Sequence, residues 1–248
     1  MGKHLQRDLD GIKKELLTSG LMVEKALNNA IESLIDRHPE LAKEVISGDR
    51  LIDQKENQIE EECLKVLALY QPVANDLRLI IAVLKVNNDL ERMGDLAANI
   101  AERSIYLASH EPLQAVLNFH HMADRVQAMV SKSLDALIRM DIKLAQLVLT
   151  LDDEIDDLNR EMYTALQDIM RQSPEFIDRA VQTLSVSRYL ERIADLSTNI
   201  AEDVVFMVDG ELIRHQGVNR GWYNDRNFYD VAIVGNSPIR RRGIPGDS

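Results

Sequence analysis

The sequence predicts an all-α fold of two tandem three-helix bundles, six long antiparallel helices arising from an internal duplication. Three observations predict it. Aromatic residues make up only 4% of the 248 residues while Leu, Ala, Ile, Glu and Asp dominate, a palette that favours helices over sheets. Gly and Pro are so sparse in residues 1–213 that the breaks between long stretches of helical apolar spacing can be read directly. The stretch from Val86 to Glu102 also returns one hundred positions later, from Val186 to Glu202. Leu90/Leu190, Glu91/Glu191, Arg92/Arg192, Asp95/Asp195, Asn99/Asn199 and Glu102/Glu202 all match, and self-similarity at one long period marks a repeated structural unit.

The first helix is expected from His4 to Asp36, where Leu16, Val23, Leu27, Ile31 and Leu34 recur at helical spacing. Arg37-His38-Pro39 ends it, and Pro39 suits the first turn of the second helix, which reaches about Leu69 before Tyr70-Gln71-Pro72. The third, from about Val73 to Ala108, carries the repeated motif and closes at Ser109-His110-Glu111-Pro112. The fourth spans about Leu113 to Arg139, Met140-Asp141 is the turn, and the fifth reaches about Arg171. Ser173 as cap and Pro174 in the first turn announce the sixth, which Gly210 stops. Short connections make neighbours antiparallel. The first bundle is placed at residues 1–110 and the second at 111–213. Residues 214–248 hold five of the eleven Gly, two of the six Pro and the only Trp, and read as a disordered or non-native tail. Tyr229–Val234 there has strand character but nothing to pair with.

Net charge is −12, and the tail carries six Arg against three Asp (+3), which leaves −15 on residues 1–213. Such a body repels nucleic acid and anionic membrane and attracts cations or basic partners. The single cysteine, Cys63, excludes a disulfide framework and a thiolate zinc site. With no signal peptide and no apolar run approaching membrane-spanning length, a soluble cytoplasmic protein is expected.

Within the motif, Leu90, Met93, Leu96, Ala97 and Ile100 form a core stripe. Glu91, Asp95, Asn99 and Glu102 form a second stripe on roughly the opposite side, as do Glu191, Asp195, Asn199 and Glu202. The acids are therefore expected to face solvent, away from the packing seam. Each bundle adds an acidic pair on its middle helix, Asp49/Asp53 followed by Glu56 and Glu60, and Asp152/Asp156 with Asp153, Glu154 and Asp157 nearby. Four acid-x-x-x-acid pairs result: Asp49/Asp53, Glu91/Asp95, Asp152/Asp156 and Glu191/Asp195. One such pair is ordinarily a solvated face. Four of them, able to meet across adjacent helices, require a compensating cation, because two carboxylates about 6 Å apart repel by about 3 kcal/mol at an effective dielectric of 20. Carboxylates without thiolate or imidazole select hard ions: iron(III), manganese, magnesium or calcium. The rival cation is internal, with Arg92 and Arg192 pairing to an acid on the neighbouring helix in a structural ion-pair network.

No catalytic residue is assigned. A di-iron carboxylate bundle needs inward-facing Glu-x-x-His on two helices, and none of the six His has a Glu three residues before it. His120-His121 has no acid partner suggested by spacing, and reads as partly exposed packing. Cys63 among Glu60, Glu61 and Glu62 is a poor nucleophile, since neighbouring anions raise a thiol pKa. A Gly-rich phosphate loop is absent, and the Met residues read as packing.

Gln71-Pro72-Val73-Ala74-Asn75-Asp76-Leu77-Arg78, followed by Leu90-Glu91-Arg92-Met93-Gly94-Asp95, resembles the PhoU family of phosphate-signalling regulators, and Leu190-Glu191-Arg192-Ile193-Ala194-Asp195 resembles its second repeat. The likeness covers about residues 4–215. It implies two three-helix bundles whose acid motifs bind multinuclear iron or zinc clusters on the surface. Here these are Asp49, Asp53, Glu91, Asp95, Asp152, Asp156, Glu191 and Asp195, with Asn99 and Asn199 as neighbours. Iron suits all-oxygen ligands better than zinc; manganese and magnesium are the other candidates. The resemblance also implies negative regulation of phosphate uptake and of the phosphate-starvation response. In that role the protein is a cytoplasmic homodimer linking the ATPase subunit of the phosphate ABC transporter to a sensor histidine kinase, and meets the membrane only through the transporter. Asn159 stands where the first bundle has Glu56, so the second cluster is expected to hold fewer or weaker-bound ions. A metal-independent helical accessory protein of phosphate transport is the first rival reading, and a carboxylate-metal hydrolase the second.

Overall fold

Each apolar stripe becomes the buried face of a helix. The computed structural model describes residues 2–113 and 119–209. These residues form α1 (Gly2–Ile35), α2 (Pro39–Tyr70), α3 (Ala74–Ala108), α4 (Phe119–Arg139), α5 (Ile142–Gln172) and α6 (Ile177–Asp209). They all belong to one compact unit. The expected start of the fourth helix, the Gly210 stop and the tail from residue 214 lie outside the described residues. No described helix is long and apolar enough to cross a membrane.

The helix ends follow from local chemistry. Arg37 turns through a left-handed φ of 55°, and its guanidinium donates to the carbonyls of Leu107 (2.8 Å), Ala108 (3.2 Å) and His110 at the end of α3. A cation there meets the negative pole of the helix and satisfies orphan carbonyls. His38 Nδ1 accepts the Leu41 N–H at 3.2 Å ahead of Pro39, and the Asp141 carboxylate accepts from Lys143 and Leu144. Ser173 departs from expectation. Its hydroxyl makes no cap bond, and a 3₁₀ turn at Pro174–Phe176 precedes α6. The Ser173 N–H closes α5 on the Ile169 carbonyl, and its own carbonyl accepts from Phe176, so the residue is spent on ending one helix.

α1, α2 and α3 pack on one another, as do α4, α5 and α6, giving the two three-helix bundles; α3 also lies along α6, and α1 on α4. The larger apolar cluster accordingly runs through all six helices, from Leu9 to Val205, and a smaller one gathers Met162, Leu166 and Ala180 of α5 and α6. Gly20 permits the α1–α4 approach, since a Cβ there would sit 2.8 Å from Leu134 Cδ2. Between α3 and α6, the buried Asp203 carboxylate pairs with Lys85 at 3.2 Å, and Arg103 donates to Gln182 at 3.1 Å. One polar link in this interface is thus charged on both sides and the other on one.

Candidate metal centre

The site in the first repeat begins with a glycine. A Cβ on Gly94 of α3 would lie 3.0 Å from Ile52 Cδ1 and 3.3 Å from Asp49 Oδ1, both on α2. A mid-helix glycine costs about 1 kcal/mol relative to alanine, and here it makes room for α2 to lie close. That approach carries Asp49 and Asp53 across to Asp95 of α3, and one carboxylate oxygen from each falls within 4.8 Å of the other two. Among the described residues it is the one such group of three.

The acids do not stand opposite the packing seam as the helical projection suggested. They line its lip: Asp49 and Glu91 are half-buried and Asp95 is exposed. The reason is that α3 packs on α1, α2 and α6 at once, so its buried surface wraps most of the way round and takes in Asn87 and Asp89. Partial burial has an electrostatic consequence. Desolvation first, then the charges of Asp53 and Asp95, push the Asp49 carboxyl up to about 6. Glu91 is raised by desolvation and then by Asp95, Glu56, Asp53 and Asp49, and Glu56 by desolvation, Glu60 and Asp53.

The second repeat copies this electrostatics with a looser geometry. Burial, then Asp195, Asp156, Asp153 and Glu191, pushes Asp152 up to about 6. Glu191 is raised by burial, then by Asp195 and Asp156, and Asp195 by burial and then Asp156, with Arg192 pulling both down and Arg188 pulling Glu191 down. So Asp152, Asp156, Glu191 and Asp195 feel one another, but the tight trio of oxygens belongs to the first repeat. Ala194 carries the Cβ that Gly94 lacks, and Asn159, in the place of Glu56, accepts the Ser187 hydroxyl at 2.7 Å. In the first repeat Asn87, at the position of Ser187, instead donates to the Glu56 backbone carbonyl at 2.9 Å, which leaves the Glu56 carboxylate available.

The internal-cation alternative loses its geometry in the first repeat and keeps part of it in the second, where the Arg192 charge pulls Glu191 and Asp195 down. Arg92 reaches Asp89 on its own helix at 3.9 Å, and among the described residues none of the eight acids forms a salt bridge. Asn99 folds back to donate to the Asp95 carbonyl at 2.8 Å, so its amide is spent on its own helix. His121 does find an acid partner: Glu154 of α5 approaches it at 3.5 Å and Arg125 at 3.0 Å, a meeting across helices that spacing along one helix does not reveal. Cys63 is fully buried and its thiol is pushed up to about 12, by burial ahead of Glu60 and Glu62. Gly94 is the residue beside the acids that spacing arguments missed, since it leaves room for Ile52 and Asp49; a glycine in mid-helix is the signal that reveals it.

All-oxygen donors from two helices, half desolvated and without a salt-bridged protein cation, suit a hard divalent or trivalent ion. A family described as the PhoU domain matches residues 16–104 and 119–204. The chain is 40% identical over 214 residues to a phosphate-specific transport system accessory protein PhoU homolog of Aquifex aeolicus, covering 86% of this chain and 97% of that one. It is 39% identical to the homolog of Pseudomonas aeruginosa, over 89% and 91%. The crystal structure of PhoU from Pseudomonas aeruginosa superposes with a TM-score of 0.81, covering 83% of this chain and 99% of the other at 39% identity. That of the phosphate transport system regulatory protein PhoU from Streptococcus pneumoniae gives 0.75 at 30% identity, over 84% and 98%.

Proposed function

Because the chain belongs to the PhoU family of phosphate transport accessory proteins, we propose that it is a metal-binding negative regulator of phosphate uptake and of the phosphate-starvation response. It acts as a cytoplasmic homodimeric adaptor rather than an enzyme, between the ATPase subunit of the phosphate ABC transporter and a sensor histidine kinase. The observation that carries the metal half is the convergence of Asp49, Asp53 and Asp95 oxygens within 4.8 Å. With Glu91 these would hold the ion in the first repeat; Asp152, Asp156, Glu191 and Asp195 would hold the second. A bound cation supplies the positive charge that no arginine or lysine brings to the raised carboxyls of the first repeat. Iron is the proposed metal, with zinc, manganese and magnesium as alternatives.

Metal analysis of untagged protein, quantified per chain, tests the site. Iron bound at the first repeat supports it, and a metal-free protein that also fails to take up added iron, zinc, manganese or magnesium rejects it in favour of a metal-independent accessory role. A pull-down from phosphate-replete cells tests the adaptor. Recovery of the transporter ATPase and the kinase is expected, and recovery of neither removes that half. Phosphoesterase activity above background in the presence of metal overturns the non-enzymatic assignment.

A further inference from the structure

Beside the second acid set, a groove between α5 and α6 encloses a cavity of about 540 Å³ lined by Arg160, Tyr163, Thr164, Leu184, Arg188 and Glu191, among others. Its charge runs against the rest of the molecule. Residues 1–213 carry −15, and the positions of the first repeat that correspond to Arg160, Tyr163, Thr164 and Arg188 are Asn57, Glu60, Glu61 and Asn88. The duplicated groove is therefore acidic and without a basic side chain in one copy, and lined by two arginines in the other. A purely structural duty for those arginines would be met by a salt bridge across the groove. Arg188 forms no salt bridge among the described residues, though its charge pulls Glu191 of its own helix down; Arg160 meets Asp157 of its own helix at 2.8 Å, with both side chains about 70% exposed (72% and 69%), and donates its Nε to the Asp156 carbonyl at 3.1 Å. Such an exposed pair is worth about 0–1 kcal/mol, so the guanidinium is released cheaply to a better partner.

We propose that this groove binds a phosphate monoester with an organic body of nucleotide size, the phosphate held by Arg160 and Arg188 and the body laid on Tyr163 and Leu184. Arginine presents a planar fork that matches phosphate oxygens in pairs. The tyrosine ring, half-exposed, and Leu184 offer the apolar wall against which a ring stacks. A cavity of this size lies in the ordinary range for small organic ligands, about 300–1,000 Å³, and is larger than a free oxyanion needs. Glu191, the one carboxylate of the lining, disfavours a second anionic group at its end of the groove.

The test titrates the full chain, stripped of metal by chelation and dialysis, with AMP, adenosine and inorganic phosphate in a calorimeter. AMP binds saturably, phosphate binds more weakly and adenosine does not bind. The double variant Arg160→Asn, Arg188→Asn, which installs the residues that stand in the first repeat, keeps its helicity and loses at least tenfold in AMP affinity, about 1.4 kcal/mol. Its metal uptake at the first repeat stays unchanged, which separates the loss of AMP binding from a general defect of the fold. Unaltered AMP affinity in a folded double variant overturns the proposal, as does the absence of saturable AMP binding. Adenosine binding as tightly as AMP removes the arginines' role, and phosphate binding as tightly as AMP removes the organic body.

Discussion

The two repeats keep the same helix and change what lies against it. Residues 91–100 and 191–200 share one pattern of buried, half-buried and exposed positions, residue for residue, and both present Glu and Asp one turn apart. What differs comes from three kinds of substitution: Gly94 against Ala194, Glu56 against Asn159, and Asn57 and Asn88 against Arg160 and Arg188. The first leaves room against one helix pair for Ile52 and Asp49, the second removes an acid from the other, and the third reverses the local charge. Register is thus preserved by the broad buried face of α3 and α6, while the missing Cβ at position 94 leaves room for Ile52 and Asp49 beside the oxygen trio. Duplicated donors do not by themselves make a duplicated trio: the converging oxygens belong to Asp49, Asp53 and Asp95 of the first repeat.

The largest effect comes from breaking the stronger copy. Asp49→Ala with Asp95→Ala removes two of the three converging oxygens, so metal at the first repeat falls to background while far-ultraviolet circular dichroism is unchanged. Asp152→Ala with Asp156→Ala costs less metal per chain, because that set is looser. Equal losses, measured as metal content after dialysis, would show the two repeats to be equivalent binders. A loss of helicity in either variant would show the acids to be structural.

A smaller change sharpens the same comparison at one atom. Gly94→Ala pushes a methyl against Ile52 and the Asp49 carboxylate. Overpacking costs about 1–3 kcal/mol and the gain in helix propensity returns about 1 kcal/mol, so the net loss of stability is about 1 kcal/mol in a chemical melt. The metal responds more, since Asp49 must shift, and first-repeat affinity drops about tenfold. Ala194→Gly opens room in the second repeat and raises affinity there. If Gly94→Ala leaves metal affinity unaltered, the close approach of α2 is incidental to the site.

Much of this was legible in residue order. The hundred-residue offset declared the duplication, sparse breaks placed the helices to within about two residues at most ends, and the four acidic pairs were visible as such. What was hidden depends on contacts between helices. The projection of one helix put Glu91 and Asp95 opposite the core; Asp95 is exposed as expected, but Glu91 is half-buried, because a projection cannot represent a helix buried by three neighbours, as α3 is. The Glu154 contacts with His121 and Arg125 cross from α5 to α4. Ser173 has the right type for a cap but faces a proline-led 3₁₀ turn. Gly94 stood inside the quoted motif, yet its purpose becomes evident only when Ile52 and Asp49 lie against it.

The smallest expected effect concerns what the two repeats share. Asp49 and Asp152 are each pushed from an ordinary value of 3.8 up to about 6, with burial as the leading cause in both. In metal-free protein the folded state therefore retains protons that the unfolded chain has released over this interval. Stability gained from the protonated carboxyls is complete below about pH 4, declines as pH rises, and is lost once pH passes about 6. Asp49→Asn and Asp152→Asn, each unable to titrate, should each remove a similar part of that slope in denaturant melts run across the interval. A bound cation changes the sign, since it competes with the same protons and stabilises the fold as pH rises. Metal-loaded protein should thus be flat or rising where metal-free protein falls. A fall of equal steepness with and without metal would mean that the ion does not sit on these carboxylates, in either repeat.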